Sequence, residues 1–320
     1  MPSLPGDVPL PYPPHVRTLT TSAALLLALS TSARAAEPVP AGGIPDVVGP
    51  RSLGLAASIG AASGNDGLYV NPGAIAARKR YAIEGGALVD RRGAETVDRF
   101  LGGSIVDSES SPVTAGASYL RAQQGSYTGN LVHFALAGPI AEGFYLGVSG
   151  KYLSLTGATV TATTAAGPVQ VKLKDVTAVT ADAGVLWQVA ELVSLGVTGY
   201  NLVPVGNEAV APMGMGAGIA IGSDRSFQVT GDWRSDFDER GKKGATNRWA
   251  AGAEALLFNA IPVRAGYTRD DILDTAWWSA GVGLINANGV ALDVGYRQSV
   301  DDPKARTIAA TLKVFVNAAQ

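Results

Sequence analysis

The sequence predicts an all-β fold: a transmembrane antiparallel β-barrel of about 14 strands with an N-terminal plug-like segment. Three observations predict it. From residue 79 onward the chain is a series of roughly ten-residue segments in which apolar residues alternate with polar or small ones. That period of two is the pattern of strands with one face to lipid and one to a polar lumen. Thus Phe227, Val229 and Trp233 alternate with Gln228, Thr230, Asp232 and Arg234, and Val290, Leu292, Val294 and Tyr296 alternate with Ala291, Asp293, Gly295 and Arg297. Second, the N-terminus reads as a secretion signal and the chain has no apolar run of membrane length. Third, the connections between strands alternate between short and long.

The N-terminal element comes first in the chain. Ala23 to Leu29 form a short apolar core, with Arg17 before it and Ala33-Arg34-Ala35 after it, a small-x-small pattern cut before Ala36. A membrane anchor would need about twenty apolar residues, which this core lacks. The Pro-rich stretch from Met1 to Pro14 is unusual for a signal, and translation starting near Val16 would remove it. The expected organisation is a signal peptide over 1–35, a plug or periplasmic segment over 36–78 and an outer-membrane barrel over 79–320.

Within 36–78, residues 51–76 break the strand alternation and are rich in small side chains. Asn71-Pro72 reads as a helix N-cap followed by Pro at the first helical position, with a short helix through Ala74, Ile75, Ala76 and Ala77. Such a segment suits the lumen or its periplasmic mouth.

Strands follow at about 80–89, 98–107, 112–121, 128–137, 143–156, 168–188, 191–202, 211–221, 225–235, 247–258, 261–269, 275–286, 289–298 and 305–316. Their number is even, as in single-chain bacterial barrels. With both barrel ends periplasmic, the connections at 107–111, 138–142, 190, 222–224, 259–260 and 285–289 are short and carry turn residues. Those at 91–98, 122–129, 156–168, 203–212, 236–247, 270–275 and 299–306 are longer and form the external loops. A soluble β-sandwich has no obligatory alternation of this kind. Tyr81, Tyr119, Tyr200, Trp187, Trp233, Trp249, Phe258, Tyr267, Trp277, Trp278 and Phe315 fall mostly near strand ends and read as interfacial girdles, although aromatics also favour strands in general.

Strand parity turns Lys151, Asp182, Asp232, Arg234, Glu254, Arg264, Asp293 and Arg297 toward the lumen. A charge facing lipid at the midplane costs about 2–4 kcal/mol, so an inward position is the stable one. Mixed charge there holds a plug, fills the barrel with ion pairs or lines a polar path. Arg234, Glu254, Arg264 and Arg297 are the expected partners for the plug's backbone groups.

Asn71-Pro72-Gly73-Ala74-Ile75-Ala76, preceded by a small-residue stretch, an Asn-Asp-Gly turn and an aromatic, resembles the N-terminal motif of the long-chain fatty-acid transporter (FadL-type) family and its PorV/PorQ-like relatives. Trp278 to Leu284, followed by Leu292-Asp293-Val294-Gly295-Tyr296, is similar to that superfamily's C-terminal hairpin. The resemblance implies a fourteen-stranded barrel whose lumen is obstructed by the N-terminal segment, with Asn71, Pro72 and Gly73 as the plug motif. It also implies passive diffusion of small hydrophobic molecules across the outer membrane of a Gram-negative bacterium. Its other branch implies a secretion-associated or structural barrel that binds protein partners. The chain departs from the transporter branch in its shortness, in Gly73 where Ala is usual, and in the five residues after Phe315.

Other chemistry finds little footing. Without residues 1–35 the chain has 285 residues, with 23 basic side chains (25 less Arg17 and Arg34) and 26 acidic ones (27 less Asp7), giving no electrostatic case for nucleic acid. It has no Cys for a disulfide, thiol nucleophile or Cys-ligated metal. His133 is the one mature histidine and has no flanking nucleophile motif, so no enzyme activity and no cofactor is expected. The acidic groups Asp236, Asp238, Glu239 and Asp270, Asp271, Asp274 lack ordered calcium-loop spacing and read as solvated loops, with no metal site expected. The run Gly241-Lys242-Lys243-Gly244 is too short for a phosphate loop and lies beside a strand. Expected partners are outer-membrane lipid, a small hydrophobic ligand and secretion-system proteins.

Overall fold

The computed structural model describes residues 49–61, 64–92, 95–164, 167–206, 210–237, 244–271 and 274–316, within the compact unit Ala36–Gln320. The expected signal peptide and cleavage site lie outside the described residues. Three short helical pieces precede the strands: α1 (Pro50–Leu55), α2 (Gly67–Val70) and a 3-10 helix (Pro72–Ala76).

The strands are β1 (Tyr81–Arg92), β2 (Glu95–Asp107), β3 (Thr114–Gln124), β4 (Tyr127–Ala141), β5 (Phe144–Gly157), β6 (Thr159–Thr164), β7 (Gly167–Lys172) and β8 (Val176–Ala190), then β9 (Val193–Tyr200), β10 (Gly214–Gly222), β11 (Phe227–Phe237), β12 (Ala245–Leu257), β13 (Ile261–Asp270), β14 (Thr275–Ile285), β15 (Val290–Ser299) and β16 (Arg306–Phe315). Fourteen of them close a barrel in chain order, β1 pairing antiparallel with both β2 and β16. β6 and β7 pair only with each other.

Closure leaves no open sheet edge, and parity divides the wall into two faces. Phe134 is 64% exposed while His133 beside it is 2% exposed. Val148, Val197, Val282, Leu292 and Leu312 point outward, while Gln228, Thr230, Glu254 and Arg264 are buried inside. An apolar exterior around a buried polar interior inverts a soluble protein and suits a barrel in lipid.

Three sequence expectations change. The stretch 168–188 is two elements: β7, half of an external hairpin, and β8, which enters the wall only at Val176. Lys172, Lys174 and Asp175 mark the break. The expected loops at 91–98 and 122–129 are instead mostly strand. β3 and β4 run on to a two-residue turn at Gly125, whose φ of 55° suits glycine, and β1 and β2 are separated by two residues. Of the expected girdle, Tyr200 and Trp277 are buried inside. Trp277 and Trp278 are neighbours on one strand, so only one can face out, and Trp278 does so against Tyr296.

Candidate functional site

The N-terminal segment lies inside the barrel, and its seat is built largely by removing side chains. α1 packs against β12–β16, and the 3-10 helix against β3, β4, β5 and β8. Inward glycines pave both seats. A Cβ at Gly252 would stand 1.9 Å from the Leu55 carbonyl oxygen, and one at Gly196 would stand 2.0 Å from that of Ile59. Gly147 and Gly184, paired across β5 and β8, leave the space that Pro72 and Asn71 fill.

Polar side chains of the wall then satisfy the plug's backbone. Asp232 accepts from the Ser58 and Ile59 amides at 2.6 and 2.8 Å. Ser279 donates to the Gly54 carbonyl at 3.0 Å, Ser194 to Gly60 at 2.6 Å and Tyr200 to Val70 at 2.7 Å. Asn71 stands at the centre of this lacing. Its amide nitrogen donates to the carbonyls of Ile59 (3.0 Å) and Val185 (2.9 Å), and its Oδ1 accepts from the Gly73 amide at 3.0 Å, capping the 3-10 helix that Pro72 begins.

The eight sequence-selected charges form three groups. Glu254 accepts from Arg51 of the plug through both carboxylate oxygens, at 3.1 and 3.0 Å, and from Arg264 and Gln228. Arg264 also donates to Asp293 at 2.7 Å. On the far side Lys151 pairs with Asp182 at 2.6 Å, and Asn201, with φ 50°, ties both to the external connection. Nearer the external end Arg234 lies over the Tyr200 ring at 4.3 Å and Arg297 over Trp277 at 4.9 Å. Together with Asp232, Arg248 and Asp270 they line a cavity of about 80 Å³ above the plug. The plug's backbone is therefore held by Asp232, Ser279, Ser194 and Tyr200, while Arg234 and Arg297, expected to hold it, line the cavity beside it instead. Asp236 pairs with Arg234 and Arg248, Asp270 with Arg248 and Asp274 with Arg269; Asp238 and Glu239 lie outside the described residues.

Across the arc from β16 through β5 to β8, the register sorts inward residues into rows. One row is apolar: Ala309, Leu88, Phe100, Ala122, Gly129, Leu155 and Val176. The next carries Leu120, Leu131, Leu153 and Ala178. Leu53 of the plug and Val205, Val210 and Ala211 of the β9–β10 connection pack into the same cluster. The row below is polar: Lys313, Glu84, Ser104, Ser118, His133, Lys151 and Thr180. His133 meets Tyr69 of the plug edge-on at 5.0 Å, and neither ring nitrogen has a hydrogen-bond partner among the described residues. Sequence parity singled out the charges but not this apolar cluster, because Leu and Phe on the inner face look like slips in an alternating pattern.

These features define a class, a closed fourteen-stranded barrel plugged by its own N-terminal segment. Solved structures have a similar fold. The CymD monoaromatic hydrocarbon channel superposes with a TM-score of 0.64 at 13% identity, covering 86% of this chain and 98% of that one. The Ralstonia pickettii toluene transporter TbuX gives 0.63 at 13%, covering 84% and 97%, and a Pseudomonas aeruginosa FadL homologue 0.59 at 12%, covering 87% and 99%. The fold is thus that of the FadL-type transport barrels. No family model and no curated protein matches the chain.

Proposed function

We propose that the mature protein, beginning at Ala36, sits in the outer membrane of a Gram-negative bacterium and passes small hydrophobic molecules by passive diffusion, without catalysis. The observation that carries this reading is the inward apolar cluster of Leu88, Phe100, Leu120, Leu131, Leu153, Leu155 and Val176. Leu53 of the plug and Val205, Val210 and Ala211 of the β9–β10 connection cover it, and it becomes an apolar path when those groups move aside. A hydrophobic molecule that takes their place keeps the same wall out of water, at about 25 cal/mol per Å² of apolar contact. The hydrocarbon and toluene transporters with the same fold support the same reading.

The plug must yield for anything to pass, because α1 and the 3-10 helix occupy the lumen below the apolar cluster. Deleting residues 44–70 should leave a folded, heat-modifiable barrel, since the ladder closes without them. In proteoliposomes the deletion should raise toluene entry several-fold over the intact protein. Unchanged entry with a folded barrel would overturn the proposal.

A further inference from the structure

At the end of the lumen that carries the short turns, the chain leaves the 3-10 helix through Ala77, Arg78, Lys79 and Arg80. With Gln188 of β8, Arg225 of the β10–β11 turn and Phe315 of β16, they line a cavity of about 480 Å³. Among the described residues, the lining holds four cations and no carboxylate. Deeper in the lumen charge is matched at contact, as in Arg51–Glu254–Arg264–Asp293, Lys151–Asp182 and Lys313–Glu84. At the mouth the matching is incomplete. Arg78 pairs with Asp224, yet its buried Nε has no acceptor among the described residues. Lys79 donates to the Ser111 carbonyl at 3.4 Å and lies within electrostatic reach of Asp107. Arg80 and Arg225 are held through their backbone amides by Ser108 and Ser223, and among the described residues neither guanidinium has an acceptor.

The cost of this arrangement shows at Arg80. Burial, and then the charges of Arg78 and Arg51, push its pKa down to about 10 against the opposing pull of Asp224 and Glu84. An anion in the cavity would relieve that repulsion and fill the vacant donors. Guanidinium forks match tetrahedral oxyanions bidentately, and cations arriving from two separate segments suit a ligand with acceptor oxygens in several directions. A single carboxylate offers two oxygens on one side.

We infer that the periplasmic mouth is a binding site for a phosphate-class oxyanion, centred on Arg78, Arg80 and Arg225. The chemistry is shared by free phosphate and by the headgroup of an anionic phospholipid. The site lies below the plug and does not depend on what passes the apolar cluster above it.

The test titrates inorganic phosphate into the detergent-solubilised protein by calorimetry, and separately measures retention of phosphatidylglycerol over phosphatidylcholine by native mass spectrometry. Arg225→Gln, on an exposed turn, should weaken binding about tenfold, as expected for one charged hydrogen-bonding partner. Arg80→Gln should do the same and Arg80→Lys should restore part of the loss, with heat-modifiability confirming the fold of each variant. Saturable phosphate binding lost in the variants supports the site and a soluble source. Variant-sensitive retention of phosphatidylglycerol alone supports it with a lipid source. No binding of either, or binding that both glutamine variants leave unchanged, overturns it.

Discussion

Glu254 is the residue on which plug and wall depend most directly, because one carboxylate serves Arg51 of the plug and Arg264 and Gln228 of the wall. Replacing it with Gln keeps the shape and removes the charge, taking one carboxylate contact from each of two buried guanidinium groups, Arg51 and Arg264. Breaking such a pair costs about 3–5 kcal/mol when the survivor stays buried. The expected outcome for Glu254→Gln is a lower midpoint for heat modification and faster proteolysis near Arg51, whereas Gln228→Ala should shift neither as far. Unchanged proteolysis would show that Arg51 does not anchor the plug. These charges were legible because a lone ionised side chain has only one tolerable face in a membrane strand. His133 and the girdle errors at Tyr200 and Trp277 were not legible, because aromatic and amphipathic side chains are at home on either face. The inward glycines were in plain view as composition, 40 in the chain, but a missing side chain carries no direction.

Among the elements, the strands were readable nearly end to end, while the connections misled wherever strands rise above the bilayer. A membrane strand needs about 9–11 residues, so a 21-residue stretch at 168–188 already contained too much chain for one crossing. Length could have revealed the β6–β7 hairpin where alternation did not, since Val169, Val171 and Leu173 keep the period of two up to β8. The strands of that hairpin pair with each other and with no strand of the wall. A tag inserted after Thr164 should therefore be reached by antibody on intact cells, and one after Ser223, in the tight β10–β11 turn, only after permeabilisation. Labelling at Ser223 on intact cells would reverse the assigned orientation.

For the whole molecule, the two seats of the plug have a consequence in time. The 3-10 helix is held by β3, β4, β5 and β8, with Asn71 reaching Val185, 114 residues away, whereas α1 waits for β12–β16, with Arg51 reaching Glu254, 203 residues away. Loop entropy alone separates these by only about 0.6 kcal/mol for a doubling of length, too little to set an order. Availability sets it instead, because the groove for α1 does not exist until the last strands have paired. The N-terminal piece is thus seated in two acts, its second half first, and the final zipping of β16 to β1 seals a half-docked segment inside. Pulse-labelled hydrogen exchange during refolding should show amides at 73–77 protected before those at 52–55, and the reverse order would mean that the plug enters a finished barrel. A chain arrested before β12 would hold its own stopper by one end, open along the flank where later strands belong, and assembly of this protein has to finish before that flank meets another chain.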